Sequence, residues 1–336
     1  MKEGGHLHPK VATNALPEKK GYVRGQEPSR SSGLIRLMNR PQGTAVIASP
    51  LIAMTLASSG FAIGFAFAFR TSNEAFLTPF AGKAWIILIG ANVGAWFLLV
   101  VPIIQRFLAV ETLVRGRRAE LGATFCVFGF LYLLPLWPPV VDLIAGFPMA
   151  ETDIVLPIIG GAVASAAMSG IWRIHAASEQ IRSGNDGPGH APDRVDNYLT
   201  LQDHLQAFLW IVGALISLGT LAFGFAIKAI KEVHSPIVDI PDQAFWAYGL
   251  YYTTLLALSY VPTYIGLITT GRFIRDSVIG GAPFGPTEVE GWLRRRDELT
   301  GLLQISQGPV ARLKGAIFVV SPLLASVLST LFEKSV

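Results

Sequence analysis

Along this chain apolar residues gather in long blocks separated by shorter polar stretches. Seven blocks are long enough to cross hydrocarbon: 44–69, 84–108, 121–145, 154–175, 205–230, 244–271 and 313–332. A hydrocarbon core of about 30 Å takes roughly 20 helical residues. The pattern therefore predicts an all-α, polytopic membrane bundle of seven transmembrane helices. The third block contains Pro135, Pro138 and Pro139, which remove backbone donors and predict an irregular outer end.

The polar stretches differ in kind. Residues 1–43 mix Gly, Pro, Ser, Lys and Arg with few aliphatics, which predicts a disordered basic tail ahead of a transmembrane domain over 44–336. The run SGNDGPGHAPD at 183–193 is turn-rich, and residues 183–204 are expected to form a cytoplasmic loop. Residues 286–304 read differently. Thr287 and Glu290 are spaced as a capping box, and Val289, Trp292, Leu293, Leu299, Leu302 and Leu303 recur at helical spacing. This predicts an interfacial amphipathic helix with Trp292, Arg294, Arg295 and Arg296 as candidate contacts to a lipid surface, anionic headgroups included. Packing beneath the bundle, or docking a partner, is the other reading of the same pattern.

Composition and charge add a membrane and a direction. Of 336 residues 51% are hydrophobic and 15% charged, and the mean hydropathy is +0.47. With seven crossings, 22 of the 27 Lys and Arg fall on the side of the tail and five on the other: Arg70, Lys83, Lys228, Lys231 and Lys334. The basic side is expected to be cytoplasmic, with the N-terminus inside and the chain in an inner (plasma) membrane. That excess needs no nucleic acid. With no apolar run in the first 43 residues, the first span is expected to act as its own insertion signal.

Within the spans, small residues recur four apart: Gly60 and Gly64, Gly90 and Gly94, and Gly161, Ser165 and Ser169. Such seams let helix backbones approach closely. The sixth span carries a hydroxyl stripe: Tyr252, Ser259, Thr263 and Thr270 near one line, with Thr253, Tyr260 and Tyr264 beside it. Pro262 frees the carbonyl of Leu258, so the stripe is expected to face protein or a wet cavity. Asn92 in the second span is the expected partner across that cavity. The candidate lining is Asn92, Ser259, Tyr260, Thr263 and Tyr264, with interhelical hydrogen bonding as the competing reading.

A fixed shift of 160 residues superposes AIGFA at 62–66 on AFGFA at 222–226, and Val101-Pro102 on Val261-Pro262. Read as a duplication, this gives a parallel 3+1+3 repeat. In architecture alone that plan is similar to the SWEET sugar transporters. The inferred orientation is the reverse of theirs, and the single Pro-Gln pair, Pro41-Gln42, lies outside the spans, so no functional residue carries over.

Candidate chemistry is sparse. The sequence contains no phosphate loop, HExxH pair, CxxC or GxSxG. His6 and His8 in the tail are too few for a closed metal site, and Cys126 reads as a small packing residue. No enzyme activity, metal or cofactor is expected. Arg173, His175, Glu179, Asp203 and His204 are expected as solvated charges at the cytoplasmic boundary. Two functional readings stay open: binding or transport of a small neutral or amphiphilic solute between spans two and six, and a non-transporting scaffold or sensor acting through the tail and the amphipathic helix. The bilayer is the expected partner; protein partners and homo-oligomers are left open.

Overall fold

The computed structural model describes residues 50–72, 74–113, 118–134, 150–183, 191–234, 243–280, 286–305 and 317–328. The tail at 1–43 lies outside them, and everything below concerns the unit from Ala45 onward. Among the described residues all regular structure is helical: α1 (Pro50–Thr71), α2 (Glu74–Leu77), α3 (Phe80–Leu113), α4 (Arg118–Leu133), α5 (Ala150–Ser183), α6 (Ala191–His234), α7 (Gln243–Ile279), α8 (Pro286–Leu302) and α9 (Ile317–Leu328). Five of these, α1, α3, α5, α6 and α7, are long and apolar enough to cross a membrane. α4 and α9 are apolar but shorter.

Side-chain contacts fix the directions. Gly60 packs on Gly94 and Phe97 while Gly64 packs on Val93, so α1 and α3 are antiparallel. Gly161 of α5 meets Tyr132 of α4, and Gly129 of α4 approaches Ser165, so these two are also antiparallel. Thr263 and Thr270 of α7 bond to the carbonyls of Ile171 and Ser178 of α5, a constant offset that makes α5 and α7 parallel. Phe223 stacks on Tyr248, and Tyr198 lies against Gly271, which sets α6 antiparallel to α7. α9 packs across Gly213 of α6 and Gly249 of α7.

The glycine seam of α1 and α3 has no slack. A Cβ on Gly60 would lie 2.8 Å from the Val93 carbonyl oxygen, and one on Gly94 would lie 2.8 Å from that of Ala57. Backbone meets backbone here, the close approach through which helices gain dispersion contacts in lipid. α1 spends much of its other surface outward, with Leu51, Met54, Ile63 and Phe69 exposed.

Two boundaries bear on the site. α4 ends at Leu133, just before the prolines expected to make this block irregular, and residues 135–149 lie outside the described residues. Its terminal carbonyls, which have no partner in the helix, are taken up by α7: the hydroxyl of Tyr251 donates to the carbonyl of Leu131, and that of Tyr252 donates to the carbonyl of Tyr132 at 2.9 Å. The second boundary corrects the sequence expectation: residues 191–204 are helical, not loop. Pro192 sits where a helix tolerates it, Asp193 favours the first turn, and Val195, Tyr198, Leu201 and Leu205 form a buried stripe at helical spacing. Cys126, expected as a packing residue, faces outward on α4.

The seam gives a direct test. Gly94→Val should lower the thermal stability of the detergent-purified protein by about 1–3 kcal/mol, because the added methyls overfill a closed contact. Gly122→Ala on α4, where a Cβ meets nothing within 4 Å, should leave stability unchanged or raise it.

Candidate functional site

The bundle holds a partly open cavity of about 100 Å³, several times the room one water needs. Its walls come from the first half of α3 (Trp85, Ile89, Asn92, Trp96), the start of α5 (Leu156, Pro157, Gly160), the second half of α6 (Leu215 to Ile230), and Tyr132 and Tyr248 at the ends of α4 and α7. All of these lie toward the end of the bundle where α3, α5 and α7 begin.

Glycine shapes the walls. A Cβ on Gly160 would lie 2.7 Å from the Trp96 ring, so its absence lets the indole rest on the α5 backbone. Gly219 of α6 lines the cavity and has nothing within 4 Å of where its Cβ would be. The aromatic rings brace one another: Phe76 meets Trp85 edge-on at 5.4 Å, Phe223 stacks on Tyr248 at 4.4 Å, and Tyr252 touches both Tyr248 and Tyr132.

Asn92 stands out in this setting. It is 4% exposed and lines the cavity. Its carboxamide therefore offers a donor and an acceptor to the cavity space in an aromatic surround. The residues lining the cavity carry no charge.

The remaining candidate residues lie elsewhere. The cavity lining does not include Ser259, Tyr260, Thr263 or Tyr264. The Ser259 hydroxyl donates to the carbonyl of Leu255 at 3.0 Å, and that of Thr263 to Ser259 at 3.1 Å and across to Ile171 of α5 at 3.4 Å. Tyr260 and Tyr264 stack on each other at 5.4 Å. None of these hydroxyls reaches the Leu258 carbonyl that Pro262 frees; Leu258 is 67% exposed, on the outer surface of α7. The stripe thus stitches α7 to α5, and at one end Tyr252 packs on the cavity-lining Tyr132 and Tyr248.

At the opposite end the boundary charges are not simply solvated. Arg173, with a side chain 4% exposed, donates from Nε and Nη2 to one Glu111 oxygen at 3.0 and 2.7 Å, joining α5 to α3. Arg106 of α3 lies 3.2 Å from Nδ1 of His204 on α6. An arginine only donates, so Nδ1 accepts and the His204 proton sits on Nε2, which is buried without a partner. The α8 end closes the same side: Tyr198 and Gln202 of α6 both donate to the carbonyl of Leu303, whose side chain is fully buried. Glu111 lies beyond the expected end of the second span, so nothing in the apolar block marked it. Trp85 and Trp96 were legible only as apolar bulk.

On α8 the candidate lipid contacts are held within the helix. Arg294 bonds to Glu298, Arg295 to the carbonyl of Gly291, and Arg296 lies 5.2 Å over the Trp292 ring. Val289, Leu293 and Leu302 remain exposed. Among the described residues no group of three or more His, Cys, Asp or Glu side chains could hold a metal ion.

The chain matches no family model, no curated protein and no solved structure.

The tyrosine clamp on α4 is testable. Tyr252→Phe should destabilise the purified protein by about 1–3 kcal/mol, since it strands the buried Tyr132 carbonyl. Tyr264→Phe, whose hydroxyl holds no such carbonyl, should stay within about 0.5 kcal/mol of the parent in the same thermal melt.

Proposed function

We propose that this multi-pass membrane protein binds a small neutral or amphiphilic solute in the cavity between α3, α5 and α6. One observation carries the reading: the carboxamide of Asn92 at the wall of an aromatic, charge-free cavity. An amide both donates and accepts, so it suits a hydroxyl, carbonyl or amide on an otherwise apolar molecule. A free ion would find no countercharge in those walls. The proposed site keeps Asn92 of span two and moves its partners from span six to spans four and five.

The same proposal includes seven crossings, with the tail on the basic, cytoplasmic side. Alternating helix directions support it, as does the division of Lys and Arg. At about 24 Å for α4 and about 18 Å for α9, at 1.5 Å per residue, both would need flanking chain to complete a crossing. On this reading the cavity lies in the outer half of the bundle.

Gly219→Leu is the sharpest test, because Gly219 lines the cavity and a Cβ there meets nothing within 4 Å. Purified parent protein screened against neutral aromatic and branched alcohols should show a ligand-dependent rise in melting temperature, equivalent to about 2.7 kcal/mol at a hundredfold excess over Kd. Gly219→Leu should abolish that rise while melting no lower in the absence of ligand. Tyr260→Phe combined with Thr263→Val should leave it intact. A response that survives Gly219→Leu would place the solute elsewhere and end the proposal.

A further inference from the structure

The cavity and the charged cluster at the far end of the bundle lie on one line. On α3 the buried positions Trp85, Ile89, Asn92, Trp96, Leu99 and Ile103 advance in alternating steps of four and three residues, and the next step is Arg106. Residues separated in this way share one face of a helix. The face that lines the cavity therefore continues inward through a sealed apolar stretch and ends at the charges. Ala167 of α5, fully buried, lies in that stretch, as do Phe208 and Val212 of α6, also fully buried.

The three helices that part to form the cavity are the same three that the charges draw together. Arg173 to Glu111 closes α5 on α3, and Arg106 to His204 closes α3 on α6. Pro102 lies on α3 between the two regions, where a missing backbone bond lets a helix bend. Each contact is a single side-chain link that hydration could replace, and on α3 both Arg106 and Glu111 lie in the last third of the helix.

We infer that the Arg173–Glu111 and Arg106–His204 contacts form a closed gate, and that the cavity is the open end of a path through the bundle. The protein is then a passage for its solute, in the state open at the cavity end and shut at the charged end. Access alternates when the gate parts and the walls around Asn92 close, the rocking of helices about a fixed site that transporters use. This inference rests on the cavity being a solute site, but its test uses no solute.

The test measures access to Ala167. In a Cys126→Ser background, Ala167→Cys is placed in the sealed stretch, and the protein in lipid nanodiscs is treated with a small, charged methanethiosulfonate reagent. In the parent the new thiol should react slowly. Glu111→Gln should accelerate labelling about tenfold or more, as expected when a buried pair loses one partner and the state that hydrates the other becomes populated. Combining Glu111→Arg with Arg173→Glu should restore the slow rate. A cysteine replacing the fully buried Ala68 on α1 reports general loosening and should not respond.

An unchanged Ala167→Cys rate in Glu111→Gln overturns the inference, as does an equal rise at the Ala68 reporter, or a charge swap that stays fast. If Glu111→Gln does not fold, Arg106→Gln decides by the same readout. Loss of the gate result would leave binding in the cavity untouched, because Gly219→Leu tests that separately by its melting response.

Discussion

Hydrocarbon supplies no hydrogen bonds, so every backbone carbonyl that a helix leaves open within it must find a partner from the protein. The end of α4, packed against the spanning helix α7, is held by the same need. In its last turn the carbonyls of Leu131 and Tyr132 accept from the hydroxyls of Tyr251 and Tyr252. Those tyrosines draw the start of α7 against the end of α4, which puts Tyr132 and Tyr248 on the cavity wall. A break in one helix thus sets a boundary of the site.

The cavity itself reflects a second property of lipid. Helices there gain little from excluding water and associate through contact, so small residues decide which pairs approach. Where glycine faces backbone, as between α1 and α3, the contact closes completely. Where it faces a large ring, as Gly160 faces Trp96, or open space, as at Gly219, the same residue type leaves a shaped wall. The cavity lining itself carries no charge, and at the far end Arg173 is buried but matched to Glu111. An unmatched guanidinium at that depth would cost several kcal/mol.

The sequence made the long helices legible, because block length in apolar residues reports directly on crossing length. It was less informative at polar helix ends. Residues 191–204 look like a loop by composition, yet Val195, Tyr198, Leu201 and Leu205 carry a buried face that a hydropathy average hides. Asn92 was recognisable as an isolated amide in an apolar run. Its neighbours across the cavity were not, since tertiary packing and not spacing brings Leu215 to Ile230 opposite it. Which partners the α7 hydroxyls of Thr263 and Thr270 take depends on the register with α5, which one helix's sequence does not contain. The alternating stripe from Trp85 to Arg106 was present in the letters throughout and became meaningful only with the far-end contacts in view.

The fixed offset between α5 and α7 has a mechanical consequence. Two rungs, Thr263 to Ile171 and Thr270 to Ser178, lie two turns apart, with Gly266 seated between them against His175 and Ser178. Sliding either rod past the other by one residue would break both rungs at once and push Gly266 off its seat. The pair therefore behaves as a single strut, and whatever freedom the bundle has must be found in the elements that lean on it.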